Sequence, residues 1–325
     1  MAMTHMISLQ NDTRLYGTVL GVNDITLELP RGAYGLLGPN GAGKSTLLNL
    51  LIGQLKPTRG SVEVLGMQPR NNPRLMQKLG FCPSFEGMYA SVTGLEWVSF
   101  LLQLQGRTKR VATARAIQCL EQVGLNDAMR RPIASYSRGM RQRTKLAQAI
   151  AHEPELLILD EPFSGLDPIG RAQMTELLQA WIRDGRSVLI ASHVLHEIEA
   201  LTQSFLLISG GRLLASGTAE EVHELLFQVP MELHLRCSHT KRIAALALES
   251  GLAESVTLET STQPSQFQTD RHELLLIRTR SAEPLARALM QWIQAENILV
   301  HELRTADDSL QSLFNSLMKI HRGEL

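Results

Sequence analysis

Gly38-Pro39-Asn40-Gly41-Ala42-Gly43-Lys44-Ser45 is the stretch on which the reading of this 325-residue chain turns. It fits GxxxxGK[ST], a spacing expected by chance in roughly 1 in 100 chains of this length. The apolar run Tyr34-Gly-Leu-Leu37 before it predicts a buried strand, and the residues from Lys44 to Ile52 after it predict a helix. Glycines there let successive backbone N–H groups turn inward around phosphate oxygens, at a helix N-terminus that already favours anions. Lys44 is expected to reach the β- and γ-phosphates of a nucleotide and Ser45 to coordinate Mg²⁺. A plain glycine turn is the competing reading, and it is disfavoured by the strand before and the helix after.

Working outward, Leu156-Leu-Ile-Leu159 predicts a second strand ending in Asp160-Glu161, and Ser187 to Ser192 a third ending at His193. Between them Met174, Leu177, Leu178, Trp181 and Ile182 recur at helical spacing over 170–183, with Gly185 as a stop. Strand, helix, strand in that order implies a parallel sheet with covering helices. One acid at the second strand end can hold a Mg²⁺ shell and its neighbour can polarise the attacking water; solvated acids are the reading without the glycine loop. His193 stands at the carboxyl edge, where ligands of open α/β sheets collect, and a γ-phosphate contact is expected of it. Residues 205–209 and 212–216, around Gly210-Gly211, predict a hairpin. The segment from Ser84 to about His152 is helical in pattern and predicts an inserted helical subdomain. Past Pro230 the pattern becomes βαββαβ, which predicts a small ferredoxin-like domain. Leu310, Leu313, Phe314 and Leu317 predict a closing helix, and 261–270 a loop.

Formal net charge is zero, so a nucleic-acid partner is not expected. Cys82, Cys119 and Cys237 are widely spaced without a CxxC pair, which predicts reduced thiols. No stretch approaches the ~18–20 apolar residues needed to span a bilayer, and Met1 to Gln10 lacks the features of a secretory leader. The length favours two domains.

Tyr136-Ser-Arg-Gly-Met-Arg-Gln142, placed before Asp160 at a familiar interval, resembles the signature motif of ABC ATPases, in the variant common in the type-2 exporter branch. Ser164-Gly-Leu-Asp167 resembles the family's D-loop and Ser192-His193 its H-loop. The resemblance covers about 6–226 and implies an α/β P-loop fold of ABC type. Together with the change of pattern past Pro230, it gives expected domains at 1–228 and 229–325, the first holding the helical subdomain at about 84–152. It implies ATP contacts from Tyr16, stacked on adenine, and from Gly38, Pro39, Asn40, Gly41, Ala42, Gly43, Lys44, Ser45 and Thr46. Glu161, His193 and Lys44 are the implied catalytic set, and Ser45 and Asp160 the Mg²⁺ ligands. Ser137, Arg138, Gly139 and Met140, with Asp167, would act across a head-to-tail dimer. The implied partners are a second copy or a related ATPase subunit, and a separate polytopic membrane protein met at the cytoplasmic face. Ser84 departs from the pattern: it stands where the Q-loop carries glutamine or glutamate, with Glu86 nearby. The rival class is a soluble ABC ATPase acting on ribosomes or nucleic acid. The interval from Thr46 to Tyr136 is too short for the coiled coil of chromosome-type members, and a single cassette is unlike the translation-factor type.

Overall fold

In the computed structural model, residues 5–85, 87–218, 221, 231–259 and 274–305 are described. The chain divides into two compact units, Met1–Ala219 and Glu220–Leu325. The first unit begins with β1 (Ile7–Tyr16), β2 (Val19–Leu29) and β3 (Ala33–Leu37), then α1 (Lys44–Leu51), β4 (Arg59–Val64), α2 (Pro73–Met76) and β5 (Leu79–Cys82). The helical insertion follows as α3 (Gly94–Leu104), α4 (Lys109–Gln122) and α5 (Arg138–Ile150). It closes with β6 (Leu156–Asp160), α6 (Pro168–Arg183), β7 (Ser187–Ser192), α7 (Leu195–Glu199), β8 (Ser204–Ser209) and β9 (Arg212–Thr218).

Six strands form one sheet in the order β5-β6-β7-β3-β8-β9, parallel except for the β8–β9 hairpin. Strands covered on both faces must be apolar throughout, and β6 and β7 are buried at every position. The parallel register sets Leu37 beside Ser192, Asp160 beside Ala191 and Cys82 beside Leu159. The segments leaving β3, β5, β6 and β7 therefore emerge together at one carboxyl edge.

A second, antiparallel sheet, β2-β1-β4, has no counterpart in the expectations above. Its Ile7, Leu9, Val22 and Ile25 share one core with Leu47, Leu48 and Leu51 of α1 and Leu36 and Ile208 of the six-stranded sheet. The glycine loop is thus backed on two sides by packed strands. The Thr93 hydroxyl accepts from Glu96 N while the Glu96 carboxylate accepts from Thr93 N, a capping box that starts α3. Helix α6 begins two residues ahead of the expected span, because Asp167 caps it and Pro168 suits its first turn.

The second unit runs β10 (Met231–Cys237), α8 (Thr240–Glu249), β11 (Ser255–Glu259), β12 (Leu274–Thr279), α9 (Ala282–Ala295) and β13 (Val300–Thr305). Its antiparallel sheet has the order β11-β12-β10-β13. Leu233, Leu235, Leu275 and Ile277 meet Ile243, Leu285 and Leu289 in a core of its own. The expected closing helix at 310–317, the loop at 261–270, the boundary at 228/229 and Glu86 lie outside the described residues. All three cysteines are free and buried. Among the described residues no helix is long and apolar enough to cross a membrane.

Candidate functional site

The loop after β3 is shaped by close packing that only glycine allows. A Cβ on Gly38 would stand 2.3 Å from the Ile208 carbonyl, and one on Gly43, at φ +104°, 2.5 Å from the Gly21 carbonyl. The chain can therefore curl tightly into the N-terminus of α1, whose first turn holds no acid to compete with an anion. Lys44 folds over this loop, its buried Nζ donating to the Gly38 carbonyl at 2.5 Å and the Pro39 carbonyl at 3.1 Å. Burial pulls the ammonium below the ordinary lysine value, while the charges of Glu161 and Asp160 oppose the shift.

Asp160 receives two hydroxyls on one oxygen. Ser45 Oγ donates to Oδ2 at 3.0 Å and Ser84 Oγ donates to the same atom at 2.9 Å. Three hard oxygens from α1, β6 and the turn after β5 thus converge, the donor chemistry that Mg²⁺ takes. Glu161 follows at φ +52°, a left-handed conformation that a non-glycine residue adopts at a cost and that collects at functional sites. This bend brings its carboxylate to His193, whose Nδ1 donates at 2.9 Å and 3.0 Å, and to within 3.8 Å of Lys44 Nζ. Ser192 Oγ donates to the same carboxylate at 3.5 Å.

Tyr16 is partly exposed beside this edge, its hydroxyl donating to Thr46 Oγ1 at 3.4 Å with the Arg14 guanidinium 5.0 Å from its ring centre. The structure therefore brings together Tyr16, the glycine loop with Lys44, Ser45 and Thr46, Ser84, Asp160, Glu161 and His193. The signature residues stand apart. Ser137 caps α5 by accepting from Met140 N at 3.2 Å, and Arg138 donates to Ser164 Oγ at 2.8 Å. With Gly139, Met140, Gly165 and Asp167 they line a separate recess of about 790 Å³. Among the described residues no hydrogen bond or ion pair joins the 137–140 turn to the 38–46 loop.

The sequence profile of the ABC transporter family matches residues 22–164. The chain is 39% identical over 227 residues to the bacitracin transport ATP-binding protein BcrA of Enterococcus faecalis, covering 69% of this chain and 73% of that one. The chain belongs to the ABC transporter ATP-binding family. It is 30% identical over 318 residues to the linearmycin resistance ATP-binding protein LnrL of Bacillus subtilis, a match spanning 96% of this chain and 98% of that one. A solved structure described as the ATP binding subunit of an ABC transporter superposes with a TM-score of 0.62 at 26% identity, over 67% of this chain and 92% of that chain. As a member of this family the protein is the ATP-binding, ATP-hydrolysing motor subunit of an ABC transporter.

Two residues of α5 in this ABC ATPase tie distant segments together: Gln142, the last residue of the signature stretch, and Lys145, which lies outside every motif. Buried Gln142 donates to the Pro162 carbonyl at 2.9 Å, and buried Lys145 donates to three carbonyls in the Ser84 turn. The available signal was weak: Gln142, Lys145 and Ala149 recur at helical spacing, which puts a lysine on the inward face of α5.

Proposed function

We propose that this ABC ATPase drives an exporter of the type-2 branch from the cytoplasmic face of a membrane, as a dimer closed around two ATP molecules. The observation that carries the hydrolytic part is the convergence of Lys44, Ser45, Asp160, Glu161 and His193 on one sheet edge. The exporter part is supported by the relatives named for bacitracin transport and linearmycin resistance, the second matching along nearly the whole chain. It is supported too by the Ser137-Arg-Gly-Met140 form of the signature.

In this reading the 38–46 loop and Lys44 bind the phosphates, and Tyr16 offers its ring to the adenine. Ser45 and Asp160 hold Mg²⁺, which when bound neutralises charge on the β- and γ-phosphates. Glu161 orients the attacking water and accepts its proton. His193 holds the Glu161 carboxylate in place through Nδ1, and a γ-phosphate contact is left to its ring. Ser137, Arg138, Gly139 and Met140 of one subunit, at the N-terminus of α5, would close on the γ-phosphate held by the other, with Asp167 nearby. Negative charge at that helix end explains why ATP favours the dimer and hydrolysis releases it. Such a dimer is two-fold symmetric, and its closure would reach the membrane partner as a rigid-body motion.

The division at 1–228 and 229–325 belongs to the same proposal, with the second part a ferredoxin-like accessory domain. Its βαββαβ order and β11-β12-β10-β13 sheet support that assignment. The test is affinity purification of the tagged protein from detergent-solubilised membranes. A polytopic membrane protein should co-purify in stoichiometric amount. Recovery of ribosomes or DNA in its place would establish the non-transport class.

A further inference from the structure

Lys145 lies on α5, further along the helix that Ser137 caps, and its side chain is buried. Its ammonium donates to the carbonyls of Pro83 at 2.8 Å, Ser84 at 3.2 Å and Phe85 at 3.5 Å. An ammonium has three protons to give, and three successive carbonyls stand within hydrogen-bond reach of it. Taking a cation out of water is costly and these carbonyls offset that cost, so the clasp strongly constrains the backbone it holds. The central residue of that backbone is Ser84, whose hydroxyl donates to Asp160 Oδ2 at 2.9 Å beside the Ser45 hydroxyl at 3.0 Å. On the same helix face Gln142 donates at 2.9 Å to the carbonyl of Pro162, just past Glu161. One face of α5 therefore grips the chain leaving β5 and the chain leaving β6.

We propose that Lys145 is a positioning residue for the metal carboxylate: it fixes the 83–85 turn so that the Ser84 hydroxyl stays on Asp160 and sets how Asp160 meets Mg²⁺. A serine is too short to reach into the site alone, and the lysine clasp draws its backbone close enough to act. Because α5 starts at the signature turn, any displacement of that helix is transmitted to Asp160 through the same ammonium. The inference rests on the reading of Asp160 as a Mg²⁺ ligand.

The experiment is a fluorescence titration of the full chain with N-methylanthraniloyl-ATP, once in EDTA and once in excess Mg²⁺. It compares wild type, Lys145→Met, Ser84→Ala, the double variant and Asp160→Asn. Affinity in EDTA should be nearly unchanged in Lys145→Met, whose side chain lies outside the phosphate loop, and for every variant the Mg²⁺ gain is taken relative to its own EDTA value. The gain in affinity on adding Mg²⁺ should fall about tenfold in Lys145→Met and in Ser84→Ala, the scale of outer-shell effects on metal binding. The double variant should lose no more than either single one, since both act through one contact. A wild-type Mg²⁺ gain in Lys145→Met, or losses that multiply in the double variant, would overturn the proposal. If Lys145→Met does not fold, Lys145→Gln keeps a polar end with fewer protons and is judged by the same two outcomes. Asp160→Asn separates the failures: a wild-type gain there removes Asp160 from the metal site, whatever Lys145 does.

Discussion

Asp12 is a carboxylic acid in an apolar place. It is buried in β1, and among the described residues neither carboxylate oxygen has a hydrogen-bond partner. Burial alone pushes its pKa up from 3.8 to about 6. Below the lower value the folded and unfolded chains are both protonated, so the folded state carries no charge penalty. Between the two values the folded state keeps a proton that the unfolded state has lost, so stability falls as pH rises through this window and stays lower above it. Asp12→Asn should flatten that dependence and stabilise the cassette at pH 7.5 by about 1–3 kcal/mol. Thermal unfolding at pH 5 and pH 7.5 checks it, and an unchanged difference between the two pH values would remove Asp12 as the cause. A lone acid in a strand reads from sequence as a solvent-facing residue, which is why its burial was not legible. Lys44, Ser45, Asp160, Glu161 and His193 were legible for the opposite reason. Asp160, Glu161 and His193 sit at the ends of apolar runs, Lys44 and Ser45 close the glycine-rich loop that follows another, and a parallel sheet delivers such ends to one edge. Gln142 and Lys145 act through a helix face meeting chain from distant segments, and no local pattern encodes that meeting.

At the scale of elements, strands β3, β6 and β7 were readable because burial on both faces makes them short, unbroken apolar runs. The antiparallel sheet was not. Strand β1 pairs with β2 through register shifts at Leu9/Asp12, Asp12/Arg14 and Arg14/Leu15, so its in–out alternation is broken. Strand β4 buries only Val62 and Val64. Only short alternations survive, Ile25-Thr-Leu-Glu-Leu29 in β2 and Ser61-Val-Glu-Val64 in β4, each at the lower limit of length for a period-two reading. Helix α3 shows how local chemistry can settle an element boundary: Thr93 and Glu96 satisfy each other's backbone N–H groups. Thr93→Ala should destabilise this helix by about 1 kcal/mol. Lower protection of the α3 amides from hydrogen exchange, with ATP affinity unchanged, is the expected pattern. Equal protection in the variant would mean that packing, and not the cap, holds the helix start.

For the whole molecule, every residue assigned to the nucleotide site lies in the first compact unit, and the second has its own core. A truncated chain ending at Gln228 should therefore fold and bind ATP with near wild-type affinity, as calorimetric titration would show. Folding without nucleotide binding would instead place part of the site in the tail. The proposed function is a motion in which ATP would join two cassettes and hydrolysis would part them. In the proposed mechanism Glu161→Gln keeps the shape of the side chain but loses the carboxylate that would accept the water proton, so hydrolysis should fall by orders of magnitude while binding persists. The most direct measurement is light scattering of Glu161→Gln with and without Mg-ATP. The expected result is a stable particle of twice the chain mass that forms only with ATP and persists for as long as the nucleotide remains intact. A variant that stays monomeric while saturated with ATP, or one that hydrolyses ATP at the wild-type rate, would contradict the mechanism.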